Sequence, residues 1–409
     1  MKKLFNFIKN KKDDESKSDE ETKHPDDPID QNNDNQDNST KDKDSNSDDQ
    51  SKEAKLEEIK RSMQDKKIKK FEGILTQKII DLDKLKALSW NGVPSTDPRL
   101  RCDTWRLLLD YQPNDQEIAK ETLSRKREEY TDMIEHYFGL ISFDSVQELL
   151  TKKEMSQYEQ KSMKQIKIDV YRTQPEMRIF ASQQIQIMMI RILFSWTMRH
   201  PASGYVQGIN DLAAPLILVF LTEKLQHPNE DNIFEIQEKD IEDIDQESLI
   251  QIEADTFWCL SKLVDDIQDN YTELQPGVHK ILNKMKKLIE QKDSEVLEHL
   301  NQLDINFMDF AYRWVSCYLT REFNIVQTIR LWDTYFAEDE GFSQFHCYVV
   351  AALFLQFAKD LKNMQFQDAM LFLQNLPTQK WNDDDLNILM AKSYEMKQLY
   401  HYSSHLYQS

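Results

Sequence analysis

Residues 203–216 read S-G-Y-V-Q-G-I-N-D-L-A-A-P-L, in which a glutamine lies between a tyrosine and a glycine just before an apolar helical pattern. The chain of 409 residues has only seven glycines, which leaves little material for tight hairpins or glycine-rich nucleotide loops. Residues that favour helices are abundant, and 39% of all residues are apolar, enough for a sizeable core. The sequence therefore predicts an all-α protein, with Gln207 on a loop that precedes a helix.

A second segment, I-K-I-D-V-Y-R-T over residues 166–173, contains an arginine close to a predicted break in helical structure. Pro175 disfavours a helical conformation at the residue before it, Gln174. Arg172 is therefore predicted to lie in or beside a loop.

Chain length allows these two segments to meet. A helix predicted over residues 183–199 would be roughly 26 Å long, and the residues 173–182 before it can span up to roughly 33 Å. If this connector runs back along the helix, Arg172 and Gln207 arrive at the same end. The lengths permit this arrangement and do not require it.

The two segments together resemble the paired signatures I-x-x-D-x-x-R-T and Y-x-Q-G-[MI]-N of TBC-domain Rab GTPase-activating proteins. A third signature of that family, R-x-x-x-W-x-x-L, matches Arg101, Trp105 and Leu108. The resemblance covers about residues 89–397. The sequence after residue 254 is similar to the "member 22" branch of TBC proteins and its Golgi Gyp-type relatives. It implies a two-lobed, all-α TBC domain that binds a GTP-loaded Rab GTPase.

The resemblance also implies a chemical role for each loop. Arg172 would be an arginine finger, because a planar cation that keeps its proton can neutralise charge on two phosphate oxygens. Gln207 would take the place of the GTPase's own glutamine and orient the attacking water. The alternatives from the residues alone are that Arg172 only pairs with Asp169 and that Gln207 only satisfies turn amides.

Five further residues are predicted to support this pair. Asp169, three residues before Arg172, could orient its guanidinium group. The loop around the glutamine would be shaped by a tyrosine, a glycine and an asparagine, and a threonine closes the arginine motif. The set of supporting or partner-binding residues is Asp169, Thr173, Tyr205, Gly208 and Asn210.

Other conspicuous residues are predicted to be structural. Arg101 and Trp105 lie four apart on one helix, which is typical of a core tryptophan with an arginine along its edge. Trp332 is expected in the core, with Arg330 and Asp333 bracing neighbouring helices. Direct contact of this second group with a GTPase is the alternative.

The chain is predicted to have four parts. Residues 1–70 form an acidic, disordered tail with a lead-in helix over 51–70, and residues 71–222 form a first lobe that holds both motifs. Residues 223–253 form an acidic, solvated insertion loop, and residues 254–409 form a second helical lobe.

The formal net charge of −20 is concentrated in two stretches. Residues 13–50 hold fifteen acids against four lysines, and residues 223–253 hold eleven acids against two lysines. The rest of the chain is near neutral, which argues against a nucleic-acid partner.

No cofactor or metal is expected in the chain itself. It has no G-x-x-x-x-G-K-[ST] motif, and its four cysteines lack the spacing of a metal site. GTP and Mg²⁺ would be carried by the partner, so the chain would activate hydrolysis without hydrolysing GTP itself. The rival function is a non-catalytic effector or scaffold that binds a Rab.

The sequence predicts a protein without a transmembrane segment, since no apolar run approaches the roughly 20 residues that a span requires. The opening M-K-K-L-F-N-F-I-K-N-K-K is either a solvated end or a segment that rests weakly on an anionic membrane surface. The expected location is cytoplasmic and peripheral to endomembranes, with the Golgi suggested by branch resemblance alone.

Overall fold

The computed structural model describes residues 45–139, 155–225, 233–234, 236–272 and 274–401. Among these residues, those from 60 onward form one compact unit, and those before 60 belong to another. Within the described ranges the chain is helical, with only one isolated β-bridge, between Ile79 and Asp115. This confirms the predicted all-α class. The predicted disorder of residues 1–44 and the N-terminal membrane contact fall outside the described residues.

The helices of the described part follow one another through short connections. They are α1 Ser45–Leu75, α2 Leu82–Ser89, α3 Pro98–Leu108, α4 Gln116–Phe138, α5 Gln157–Val170, α6 Gln183–Arg199, α7 Ile209–Thr222, α8 Glu238–Glu242, α9 Gln246–Asp266, α10 Pro276–Lys292, α11 Ser294–Gln302, α12 Phe307–Ser316, α13 Ile325–Ala337, α14 Phe342–Gln356, α15 Ala358–Leu361, α16 Phe366–Gln374 and α17 Asp383–His401.

Helix starts are set by side chains that accept hydrogen bonds from free backbone amides. Asp97 caps α3, with Pro98 at the first helical position. A capping box formed by Ser156 and Glu159 starts α5. Ser182 caps α6, whose bounds of Gln183–Arg199 match the predicted helix.

The centre of the main core is α7, all of whose residues are buried. It packs against α3, α6, α9 and α13, so it is surrounded by other helices. A helix that is apolar on every side requires such burial. Gln207 lies directly before this helix, so the loop that carries it is anchored to a rigid element.

Asp333 on α13 is a buried hub that joins distant parts of the chain. Its carboxylate accepts hydrogen bonds from Arg101 Nε at 3.1 Å, from Trp105 Nε1 at 2.8 Å and from the backbone amide of Val93 at 2.8 Å. Arg101 and Asp333 are both almost inaccessible to solvent. The structure thus places this motif in the interior, where it ties α3 to α13.

Two neighbouring residues complete this junction. Trp332 is fully buried, and its ring lies 6.3 Å from that of Trp105. Arg330 donates to Thr334 Oγ1 at 3.0 Å and passes closely over Gly92, where any Cβ would lie 2.5 Å from the arginine Nε. Only glycine fits at residue 92, which also has a φ of +83°.

The predicted loop over residues 223–253 is wrong in its second half. The short helix α8 lies within it, and α9 already begins at Gln246. Glu253 is fully buried, where it pairs with Arg191 and accepts a hydrogen bond from Tyr130 at 2.6 Å. The prediction relied on the number of acidic residues, which indicates a solvated segment. It could not show that Glu253 is buried and paired with an arginine. The boundary between two lobes stays a prediction.

Near the start of the folded body, α1 covers the residues 51–70 of the predicted lead-in helix, but it starts at Ser45 and extends to Leu75. Between α1 and α2 the chain turns at residues 76–81, which leaves Ile79 exposed.

His346 is a histidine buried among tyrosines in α14. Its Nδ1 lies 2.8 Å from the Tyr335 hydroxyl, and the Tyr318 ring packs with its centroid 4.5 Å away. Burial lowers the pKa of His346 from 6.5 to about 3. The His346 imidazole is therefore protonated below about pH 6.5 in the unfolded chain, but only below about pH 3 in the folded chain.

We expect His346→Gln to reduce the acid sensitivity of folding. In the parent chain, protonation of this histidine in the unfolded state should lower the free energy of unfolding as the pH falls below about 6.5. The decrease should be up to about 1.4 kcal/mol per pH unit. Urea unfolding of both proteins between pH 7 and pH 5 measures the difference in slope. Equal slopes for the two proteins would show that His346 titrates normally in the folded state.

Candidate functional site

The arginine motif lies where α5 ends. Asp169 is in the last turn of this helix, and the backbone amides of Arg172 and Thr173 still bond to carbonyls of that turn, those of Asp169 and Val170. Gln174 then adopts a left-handed conformation with a φ of +45°, immediately before Pro175. Arg172 thus lies in a turn directly after a helix, as predicted.

The side chain of Arg172 is partly engaged and partly free to reach a partner. Its Nη2 donates to Asp169 Oδ1 at 2.5 Å, and 46% of the side chain is exposed. Asp169 itself is fully buried and also accepts from the Tyr205 hydroxyl at 3.0 Å and from Gln165 Nε2 at 3.3 Å. The pairing of Arg172 with Asp169 therefore exists, and it leaves the guanidinium at the surface.

The glutamine loop owes its shape to Gly208. This residue has a φ of +110°, and a Cβ on it would lie 3.4 Å from Cys317 Sγ. Its amide donates to Asn210 Oδ1 at 3.1 Å. Asn210 therefore satisfies the turn amide that Gln207 could have satisfied. Gln207 is exposed, and its side chain makes no hydrogen bond to any described residue.

Hydrogen bonds join the two loops. Tyr205, from the glutamine loop, donates to Asp169. Thr173, from the arginine loop, donates to the Asp169 carbonyl at 2.8 Å and accepts from Asn210 Nδ2 at 2.9 Å. All five predicted supporting residues thus belong to one network, with Arg172 attached to it and Gln207 between two of its members.

Burial and a neighbouring charge keep the Tyr205 hydroxyl of this network protonated. Burial of the Tyr205 hydroxyl, together with the neighbouring Asp169 carboxylate, raises the pKa of Tyr205 well above its usual value. Tyr205 therefore remains a hydrogen-bond donor at neutral pH. A donor that cannot ionise keeps the connection between the loops intact.

The sequence interpretation missed a second set of residues behind the glutamine loop. Asp211, in the first turn of α7, is almost fully buried and accepts from Arg321 Nε at 3.0 Å and from Cys317 Sγ at 3.5 Å. Burial raises the pKa of Asp211, and Arg321 opposes this shift. A single acid inside the apolar pattern of residues 209–222 was the available signal, since such a charge needs a partner.

The described residues contain no group of three or more His, Cys, Asp or Glu side chains placed to hold a metal ion. What the site offers instead is one cation and one amide, both accessible, on two loops that are hydrogen-bonded to each other. An arginine can stabilise charge that develops on a phosphate, and an amide can both accept from a water and donate to an oxygen. Such a pair has the chemistry to stabilise charge on a phosphate and to orient a water molecule.

An all-helical body with an exposed arginine and an exposed glutamine on two joined loops resembles a TBC domain. The chain belongs to the Rab-GTPase-TBC family, whose model matches residues 98–362. Both loops and the Asp333 hub lie inside the matched range.

Individual relatives agree with this assignment. The chain is 41% identical over 335 residues to TBC1 domain family member 22B of Homo sapiens, and 40% identical over 335 residues to GTPase-activating protein gyp1 of Schizosaccharomyces pombe. These matches cover 82% of this chain in both cases, and 62% and 61% of the two relatives. The chain thus spans less than two thirds of the length of these relatives.

A solved structure shows the same fold. The crystal structure of the Ypt/Rab-GAP domain of Gyp1p has a TM-score of 0.74 and 35% sequence identity with this chain. The match covers 82% of this chain and 99% of that domain. The predicted TBC fold is therefore confirmed. Among the described helices, none combines the length and the apolar character needed to cross a bilayer.

Proposed function

We propose that this protein accelerates GTP hydrolysis by a Rab-family GTPase, with Arg172 and Gln207 supplied in trans. The observation that carries this proposal is the joint placement of the two side chains. Both are exposed, and their loops are connected through Asp169, Thr173, Tyr205 and Asn210. A site whose parts are held before the partner arrives loses little free energy to reorganisation during the reaction.

The two side chains have complementary tasks. Arg172 neutralises charge on the phosphoryl oxygens as the bond to the leaving group breaks, a contribution that is worth about 10³ to 10⁵ in rate for arginine fingers. Gln207 accepts a hydrogen bond from the attacking water and donates one to the γ-phosphate. GTP and Mg²⁺ belong to the partner, so the protein is an activator and has no hydrolytic reaction of its own.

The supporting residues position these two groups. Asp169 holds Arg172, Tyr205 donates to Asp169 from the neighbouring loop, and Thr173 accepts a hydrogen bond from Asn210 of that loop. Gly208 and Asn210 shape the turn so that Gln207 points away from the protein. The place of action would be the cytoplasmic face of endomembranes, including the Golgi, where it would regulate vesicle transport.

A non-catalytic effector that binds a Rab is the rival. An effector needs neither an exposed arginine nor an exposed glutamine, and it gains nothing from a network that holds them side by side. The present geometry therefore favours catalysis.

The test is phosphate release from a panel of purified, GTP-loaded Rabs, with and without the full chain. We expect the chain to accelerate release from at least one member, and to bind that member better in its GTP-loaded form than in its GDP-loaded form. Tight binding without acceleration across the panel would establish the effector function instead. Binding that does not depend on the nucleotide would indicate a general helical adaptor.

A further inference from the structure

The outer face of α5 carries two large apolar side chains that the core does not need. Ile168 is 47% exposed, and Tyr171, in the turn after the helix, is 53% exposed. The inner face of the same helix is complete, because Met163, Ile166 and Val170 are buried in the main core. The exposure of Ile168 and Tyr171 is thus no consequence of how α5 packs.

These two residues lie directly beside the candidate site. Tyr171 is the chain neighbour of Arg172, and Ile168 lies one helical turn before it. Asp169, between the two, holds the guanidinium. A stable protein interface covers about 800 Å² on each partner, which is far more than one guanidinium group. A protein surface that receives Arg172 with an interface of this size is large enough to cover Ile168 and Tyr171 as well.

The exposed row continues toward the start of the helix with two cations. Lys161 and Lys164 are both exposed. Lys164 lies three residues after Lys161 and four residues before Ile168, which places the three side chains on one face of the helix. Interfaces typically combine an apolar or aromatic centre with a polar rim, and tyrosine is frequent among the residues that contribute most to affinity. The row has this composition.

We propose that Lys161, Lys164, Ile168 and Tyr171, named the α5 face, form a docking surface for the GTP-loaded Rab, with Ile168 and Tyr171 as apolar anchors. This inference rests on the proposed function. It specifies a partner surface with an apolar patch, bordered by acidic side chains that meet the two lysines. Neither anchor touches the reacting atoms, so they determine affinity and leave the chemical step unchanged.

The test uses the full chain and the Rab that it stimulates most. We expect Ile168→Ala and Tyr171→Ala each to raise the concentration of the chain that gives half-maximal stimulation by about tenfold, as for interface residues worth about 1.4 kcal/mol. The maximal rate should stay within about twofold of the wild-type rate. Tyr171→Phe keeps the ring and should behave like the wild type.

Ile118→Ala is the matched control. This isoleucine is 52% exposed, close to the value for Ile168, and it lies on α4, outside the α5 face. We expect no change in the half-maximal concentration for this variant. All of these side chains are exposed, so thermal unfolding should be unchanged, and Tyr171→Ala alone decides the question if Ile168→Ala is unstable.

The outcomes separate this inference from the proposed function. If the anchor variants keep the wild-type half-maximal concentration while Arg172→Ala removes stimulation, the α5 face is rejected and the proposed function stands. A lower maximal rate at an unchanged half-maximal concentration also rejects docking, because it assigns these residues to the chemical step. If the wild type stimulates no Rab, the proposed function itself fails.

Discussion

Replacing Arg172 or Gln207 with alanine is expected to lower the maximal rate of phosphate release from the Rab that the chain stimulates by at least about a hundredfold. A hundredfold loss corresponds to about 2.7 kcal/mol of transition-state stabilisation, the lower end for removal of one well-placed donor. Arginine fingers reach about 10³ to 10⁵, so Arg172→Ala should have the larger effect.

The two variants should differ from the docking variants in what they change. Both side chains act on charge and water that are in place only as the reaction proceeds, so the maximal rate falls more than the affinity. Arg172→Lys should restore little, because a point charge on a flexible stem cannot bridge two phosphate oxygens in one plane. Single-turnover phosphate release at increasing concentrations of each variant gives both quantities.

A surface arginine serves as the control for loss of charge. Arg125→Ala removes an exposed guanidinium on α4. Its ion pair among the described residues is with Glu129, one helical turn away. Stimulation by this variant should match the wild type. Wild-type maximal rates for Arg172→Ala and Gln207→Ala would refute the catalytic assignment, even if the chain proves to be an activator.

The second large effect is expected for stability, at the buried hub. Asp333→Ala should lower the free energy of unfolding by about 3 to 5 kcal/mol, because it leaves the guanidinium of Arg101 in the interior without its carboxylate partner. It also removes the acceptor for Trp105 Nε1 and for the amide of Val93. Urea unfolding followed by tryptophan fluorescence measures the change.

Asp339→Ala is the matched control for this prediction. Asp339 lies in the connection after α13 and pairs with Lys86 at 3.1 Å, but 85% of its side chain is exposed. Exposed pairs contribute at most about 1 kcal/mol, so its loss should be small. Similar effects for Asp333→Ala and Asp339→Ala would mean that water or a rearranged side chain replaces the buried carboxylate.

The sequence predicts short-range features of this protein well. The helical pattern of residues 183–199 is local, so the sequence predicts α6 with its observed bounds. Arg172 and Gln207 were recognised because each lies inside a compact motif. The meeting of their loops was only a permitted outcome of chain length, whereas the structure shows the hydrogen bonds that join them.

Long-range charge pairing could not be predicted in the same way. Glu253 bonds Arg191 across 62 residues, and Arg101 bonds Asp333 across 232 residues. One sequence does not show which of the eleven acids in 223–253 are buried, so a segment that contains the start of α9 resembled a solvated loop. The exposure of Ile168 and Tyr171 likewise depends on which side of α5 faces the core.

The buried carboxylate of Asp169 has a consequence for the evolution of such chains. Its one cationic partner among the hydrogen bonds described here is Arg172, since Tyr205 and Gln165 are neutral donors. A related protein that no longer accelerates GTP hydrolysis by its partner, and in which the arginine has been replaced, would keep the buried carboxylate without its cationic partner. Burial of such a charge is costly. We therefore expect the aspartate to disappear together with the arginine in inactive descendants, so that covariation of the two positions would mark loss of activity.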